Sequence, residues 1–380
     1  MKKIAIITTH PIQYQLPLFK NFYKNNIEAH VFFASSHGIS SQNKDREFQI
    51  KFNWDNYKKP LSGYKSFFSK NQQYSIFDFR LSFKDLEKYL KKNKYEAIII
   101  FGWNNLLYLK SIYFGKKLGI KTILRVETNL ETNISITKKI LKYLILRILF
   151  KFIDAFLYIG SLNKYFYLKH GVPKSKLYYA PYFVDNNFFK KKNKHNYLSN
   201  KLKLKNKKFI LFVGKLIDRK KPQHFINLAE EFKNIKQLHF LLIGDGHLKN
   251  FCKEYIKKYN INNISMLGFQ NQKNLKKIYQ SSDLFVITSA YETWGLVINE
   301  AMASGLPILA SNKCGSSKDL VLNGVTGYIY QYGNLKDLSR NFKKIQFNYK
   351  KKKLMKKNSK KIISNFTYDK TISSIKHIIN

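Results

Sequence analysis

The sequence predicts an α/β protein of two doubly wound domains. Short, continuous apolar runs recur along the chain, and stretches long enough for helices separate them. The alternation lapses in a Lys- and Asn-rich stretch near residues 182–208 and then restarts. Strands alternating with helices imply βαβ units and a parallel sheet. Continuous apolar strands fit a sheet covered by helices on both faces. A length of 380 residues accommodates two domains.

In the first half the pattern reads strand Ile4–Thr8, loop Thr9–Gln15, helix Leu16–Asn25 and strand Glu28–Ala34. Residues 35–74 are polar and aromatic without period and read as a long loop region. Helix Phe83–Asn93, strand Ala97–Phe101, helix Asn105–Leu118 and strand Lys121–Val126 follow. The helix Ser135–Lys151 is apolar almost all round but carries Lys138, Lys139, Lys142 and Arg147. It reads either as a partly buried helix with a solvated basic edge, the favoured reading, or as a surface lying on an anionic membrane. Strand Ala155–Ile159 closes the half.

In the 182–208 stretch Lys190, Lys191, Lys192, Lys194, Lys201, Lys203, Lys205, Lys207 and Lys208 crowd around asparagines. Like charges repel and extend the chain, which marks a linker or an exposed strand-end region. The expected division is 1–185 and 186–365, with 366–380 a tail able to pack back on the first domain. The second half reads strand Phe209–Val213, helix Pro222–Lys233, strand His239–Ile243 and helix Leu248–Tyr259. Then come strand Ile264–Leu267, helix Gln272–Ser281, strand Leu284–Ile287, helix Leu296–Ser304 and strand Pro307–Ala310. The Lys run Tyr349–Lys361 falls on a helix with a solvated face.

Composition bounds the function. Lys and Arg number 69 against 23 Asp and Glu, a net charge of +46. That excess favours anionic partners. AT-rich codon usage accounts for a Lys-, Asn- and Ile-rich chain equally well, so a membrane-surface role and a purely compositional cause both stand. No zinc finger or RRM signature appears, and no nucleic-acid partner is expected. Cys252 and Cys314 have no C-x-x-C spacing, which argues against a disulfide framework or zinc site. The apolar run Ile4–Thr9 is too short for a signal peptide core. The stretch Ile140–Ile159 is broken by Lys142, Arg147, Lys151 and Asp154. A cytoplasmic protein, able to sit peripherally on the inner membrane face, is the expectation.

The strongest motif runs from Ser289 to Pro307: S-A-Y-E-T-W-G-L-V-I-N-E-A-M-A-S-G-L-P. Glu292 falls in the loop after a strand, and Glu300 falls eight residues on in the following helix. Gly295 stands at the turn, where a backbone without Cβ lets a ligand approach. The first N–H groups of that helix and its dipole favour an anion. Two carboxylates around such a helix start suit a ligand that carries hydroxyls and phosphates. Other segments agree in order: Val213–Lys220 (V-G-K-L-I-D-R-K), Ile243–Gly246 (I-G-D-G), Leu267-Gly268-Phe269, Ser282–Val286, Asp319–Gly327 and Tyr179–Asp185 (Y-A-P-Y-F-V-D).

Together these segments resemble the retaining GT-B glycosyltransferases of family four, the glycosyl transferases group 1, over most of residues 155–330. The resemblance implies a GT-B fold, in which two Rossmann-like domains face a central cleft. It implies Lys215 and Lys220 on the donor pyrophosphate, Glu292 facing the donor sugar and Glu300 the ribose. Gly214, Gly244, Gly268, Trp294, Gly295 and Leu296 complete the implied donor site. Lys215 stands where the family more often has Arg, replacing a bidentate fork by a point charge. In the first domain Thr8–Tyr14 (T-T-H-P-I-Q-Y) lacks the family's frequent Gly-rich loop. His10 and Gln13 there read either as contacts to the acceptor or the donor sugar or as a cap and a packing residue. Glu127 stands where the family often has His. It is counted with Lys215, Lys220 and Glu292 as catalytic, orienting a hydroxyl, or it pairs with Arg125. Trp103 offers a face to a sugar ring or packs in the core.

The implied reaction moves a sugar from a nucleotide-diphosphate sugar to a hydroxyl of a glycan or lipid-linked acceptor, with retention, in cell-surface polysaccharide or lipopolysaccharide synthesis. No D-x-D motif occurs, so neither metal nor other cofactor is expected. The alternatives are a non-catalytic sugar-nucleotide-binding protein and a basic membrane- or nucleic-acid-binding protein.

Overall fold

The computed structural model describes residues 1–37, 63–69, 75–76, 78–130, 135–190 and 197–380. Lys191, Lys192 and Lys194 of the linker lie outside them. The described residues up to Tyr182, with Thr367–Asn380, form one compact unit, and Phe183–Phe366 form the other.

The first unit is built on a seven-stranded sheet. Its strands are β1 (Lys2–Thr8), β2 (Ile27–Phe33), β3 (Lys65–Phe68), β4 (Ala97–Ile100), β5 (Lys121–Arg125), β6 (Ala155–Tyr158) and β7 (Leu177–Tyr179). The order is β3-β2-β1-β4-β5-β6-β7, every pair parallel. The central strand β1 has Ile4, Ala5, Ile6 and Ile7 fully buried. A region expected to be loop contains β3, an exposed to half-buried edge strand that pairs with β2. Edge strands are covered on fewer sides and need no continuous apolar run, which hid β3 and β7 from the apolar pattern. The rest of the 35–74 loop region lies largely outside the described residues.

The terminal helix Tyr368–Ile379 returns to this unit. It buries Ile372, Ile375, Ile378 and Ile379. Ser374 donates to Tyr179 O at 2.5 Å, and Lys2 Nζ to Ile379 O at 2.8 Å.

The second unit has six parallel strands: β8 (Lys208–Val213), β9 (Leu238–Ile243), β10 (Ile264–Gly268), β11 (Leu284–Ile287), β12 (Ile308–Ser311) and β13 (Gly327–Tyr330). Their order is β10-β9-β8-β11-β12-β13. Phe212, Phe225, Phe240, Leu242 and Phe342 fill the core between the sheet and its helices. Asparagine, abundant in this chain, caps helices throughout. Asn105, Asn271, Asn334 and Asn348 each accept from a backbone N–H three residues on.

In the helix Ile136–Leu149 the expected basic edge is solvated at Lys138, Lys139 and Arg147, but the helix is far less buried than expected, with only Leu146 covered. Its outward face is apolar, while Lys142 turns in over the Trp103 ring at 5.4 Å. Among the described residues no helix is long and apolar enough to cross a membrane.

Candidate functional site

In the second unit the chain winds outward in one direction from β8 and in the other from β11. Ligands of open α/β sheets bind at the carboxyl ends of such a strand pair. The loop after β8 carries Gly214, Lys215, Arg219 and Lys220. The loop after β11 carries Thr288, Ser289 and Glu292.

Backbone and hydroxyl groups stitch these loops together. Ala290 N–H donates to Arg219 O at 2.8 Å, and Thr288 Oγ1 donates to Lys220 O at 3.0 Å. Glu292 is 5 % exposed. Its carboxylate pairs with Lys220, accepts from Ser289 Oγ at 2.8 Å and meets Arg219 at 3.5 Å. A carboxylate removed from water requires such partners. The ion pair thus joins the two strand ends where the fold opens.

Gly295 follows at φ +96°, left-handed, and starts the helix Leu296–Ala303. Any side chain there is strained. The N–H groups at the start of the helix carry the positive end of its dipole, and Ile298 N–H donates back to Gly295 O at 3.0 Å. Ser316 Oγ, buried and without a hydrogen-bond partner, lies 3.6 Å from where a Cβ on Gly295 would stand. An orphaned hydroxyl beside a helix start fits an anion.

Glu300 sits inside this helix, 1 % exposed, and accepts from Tyr279 Oη at 2.8 Å. The Trp294 ring is buried, and its Nε1 donates to Asn299 Oδ1 at 2.9 Å. That bond ties the turn to the helix, and the ring neighbours Phe366. Lys215 is half-buried beside Gly214. Gly244 is required by its neighbour strand: a Cβ there would stand 1.8 Å from Gly214 O. Gly268 closes β10, and its carbonyl accepts from Gly244 N–H at 3.0 Å.

In the first unit His10, Trp103 and Glu127 follow β1, β4 and β5, so parallel strands bring them to one sheet edge. His10 is half-buried, bonds Thr9 Oγ1 through Nδ1 at 2.9 Å and meets the His37 ring edge-on at 5.4 Å. Desolvation, then the nearby His37, lowers its pKa to about 4. It is neutral at pH 7. Gln13 Oε1 is buried without a hydrogen-bond partner. Trp103 packs against the core below Lys142.

Arg125 is buried, donates to Ala180 O at 3.1 Å and lies over the rings of Phe101 and Tyr182. Glu127 accepts from the Tyr182 hydroxyl. Desolvation raises its pKa, against the opposing pull of the Tyr182 hydrogen bond and of Arg125. Tyr182 stands between the two residues weighed above as a pair: Arg125 lies over its ring, and its hydroxyl donates to Glu127.

Sequence reasoning missed Arg219, Ser289, Ser316, Tyr279 and Tyr182. Arg219, Ser289 and Tyr182 stood inside quoted segments but had no assigned role. Nothing in the sequence marked Ser316 or Tyr279. Among the described residues no His, Cys, Asp and Glu cluster suited to a metal ion occurs.

Residues 194–362 match the family model described as glycosyl transferases group 1. The chain is 30% identical over 184 residues to the Escherichia coli UDP-Gal:alpha-D-GlcNAc-diphosphoundecaprenol alpha-1,3-galactosyltransferase, covering 47% of this chain and 46% of that protein. It is 29% identical over 150 residues to 2-deoxystreptamine N-acetyl-D-glucosaminyltransferase of Niallia circulans, covering 39% of this chain and 38% of that protein. The chain spans about a third to a half of the length of the curated relatives it matches. Among solved structures, Anabaena HepE in complex with UDP and glucose superposes with a TM-score of 0.75 at 17% identity, over 99% of both chains. A Rickettsia africae glycosyltransferase reaches a TM-score of 0.77 at 15% identity, over 100% of this chain and 97% of that one. The chain therefore takes the GT-B fold of two Rossmann-like domains and resembles, through residues 194–362, the glycosyl transferases group 1.

Proposed function

We propose that this protein is a retaining glycosyltransferase that draws a sugar from a nucleotide-diphosphate sugar and passes it to a hydroxyl of a glycan or lipid-linked acceptor. The observation that carries the reading is the Lys220–Glu292 pair, which joins the β8 and β11 strand ends beside the start of helix Leu296–Ala303.

A diphosphate leaving group gains negative charge as its bond to the sugar breaks. Preorganised cations and N–H groups aimed at that charge lower the barrier. Lys220, Lys215, the N–H groups from Leu296 and Ser316 Oγ supply them, with Arg219 in reserve. When phosphate takes Lys220, Glu292 is released to accept from a donor-sugar hydroxyl. Glu300, steadied by Tyr279, accepts from the ribose. The leaving phosphate oxygen takes the acceptor proton on the face it departs from, so the anomeric configuration is kept. Cationic side chains neutralise the diphosphate, and no divalent ion is required. Support comes from the family match over the second unit and from solved neighbours in complex with UDP.

The test is thermal unfolding against UDP-, GDP-, ADP- and CMP-sugars, beside Glu300→Ala and Lys220→Ala, each referred to its own unliganded Tm. A ligand at about 100 times its Kd adds roughly 2.7 kcal/mol of stability. One nucleotide class is expected to raise Tm, and both variants to abolish the rise. No rise with any donor overturns the reading. NMR of the product anomer and assay in EDTA then check retention and metal independence.

A further inference from the structure

The surface of the first unit carries a helix with its apolar side facing out. Along Ile136–Leu149 the residues Ile136, Ile140, Leu141, Leu144, Ile145 and Ile148 are 51–74 % exposed, and Phe152 continues the stripe at 50 %. Only Leu146 of this helix is fully covered. The exposed cations Lys138, Arg147 and Lys151 border the stripe. A surface helix ordinarily turns its apolar side to the core. Contiguous exposed apolar area of this kind marks an interaction site.

We propose that this helix docks the protein onto an anionic lipid bilayer, lying in the plane of the interface. Apolar residues on one side with cations on the flanks is the arrangement of interfacial helices. Its 14 residues span about 21 Å, less than the roughly 30 Å of a hydrocarbon core, so it lies on the membrane rather than across it. Charge selects the occupant. A second copy would set Lys138, Arg147 and Lys151 against their own kind within a chain of net charge +46, whereas anionic headgroups attract every one of them.

A groove of about 410 Å³ beside the helix adds a second observation. Ile140, Tyr143 and Phe166 line it together with Lys139, Lys142 and Lys169. Apolar walls beside ammonium groups suit a lipid chain and its phosphate. Burial lowers the pKa of Lys142. The proposal deepens the functional reading by placing a lipid-linked acceptor at the same surface, and its test does not depend on catalysis.

The experiment is sedimentation with vesicles of phosphatidylcholine alone and of equal parts phosphatidylcholine and phosphatidylglycerol. Wild type is expected to bind the anionic vesicles and to lose binding as salt rises, since screening weakens surface attraction. Leu144→Glu with Ile148→Glu is expected to cut partitioning about tenfold or more. Lys350→Glu with Lys353→Glu, on the second unit, is expected to leave it nearly unchanged. Leu144 and Ile148 are exposed, so their variant folds, as an unchanged circular dichroism spectrum and an unchanged donor-induced Tm rise would report. Failure of wild type to bind overturns the proposal. So does equal binding by the Leu144/Ile148 variant, or a wild-type dimer that the variant dissolves without altering vesicle binding. None of these outcomes touches donor binding, so the glycosyltransferase reading stands or falls separately.

Discussion

The two sheets share a strand order around their first strand, yet their carboxyl edges hold different chemistry. After β8 and β11 a buried carboxylate meets two cations, beside a glycine-started helix and an orphaned hydroxyl. After β1, β4 and β5 the edge holds a neutral histidine, a tryptophan packed on the core and the Arg125–Tyr182–Glu127 set. Topology provides a place at which something can bind. Local residues decide whether that place suits a diphosphate or an uncharged group. The second-unit edge gathers cations beside a helix start, and among the described residues the first-unit edge carries no glycine-rich loop and no equivalent lysine.

The largest expected effect tests whether the charge at the second edge does chemistry. Lys220→Ala removes a cation from the developing phosphate charge, and kcat/KM for the donor is expected to fall about 10²–10³-fold. The same change leaves buried Glu292 with only Arg219 and Ser289, so Tm falls as well. A variant with lowered Tm but unaltered kcat/KM would reduce the pair to a structural tie and erase the contrast between the edges.

A smaller effect sharpens the first edge. The unfolded His10 takes a proton near pH 6.5, while the folded one resists until about 4. The native state therefore binds fewer protons across that window and loses stability as pH falls from 6.5 towards 4, by up to about 3 kcal/mol. His10→Gln is expected to flatten that loss in urea unfolding at a series of pH values. His239 in the second unit, also lowered to about 4, gives a matching window. His239→Gln is the internal control. If His10→Gln leaves the pH profile unaltered, the histidine is not desolvated and the edge is wetter than described.

The smallest effect concerns Tyr279, which orients Glu300. Tyr279→Phe removes one hydrogen bond worth about 1 kcal/mol, and donor KM is expected to rise several-fold with kcat little changed. A fall in kcat alone would move Glu300 from the ribose to the reacting sugar.

Much of this was legible in the sequence because central parallel strands must be apolar on both faces. β1, β4, β8 and β11 announced themselves as runs such as Ile98-Ile99-Ile100. β3, β7 and β13 did not, because strands at or beside a sheet edge tolerate half-buried, mixed residues. The Glu292–Glu300 spacing identified a helix start, since a loop carboxylate, a glycine and a helix carboxylate are local features. Tyr182 with Glu127 and Tyr279 with Glu300 were invisible, being 55 and 21 residues apart. The outward turn of Leu144 and Ile148 was misjudged for a related reason. Periodicity shows that a helix has an apolar side, but not which way that side points.

The sequence by itself determined the parallel α/β layering, the restart of the pattern in the second half and the residue types around Gly295, because burial periodicity and glycine's backbone freedom are properties of short segments. Tertiary structure alone decided that Lys220 meets Glu292, that His10 stays neutral, and that the helix Ile136–Leu149 shows its apolar side to the outside. Each depends on which distant segments exclude water from a group, and exclusion of water is set by packing rather than by neighbours along the chain.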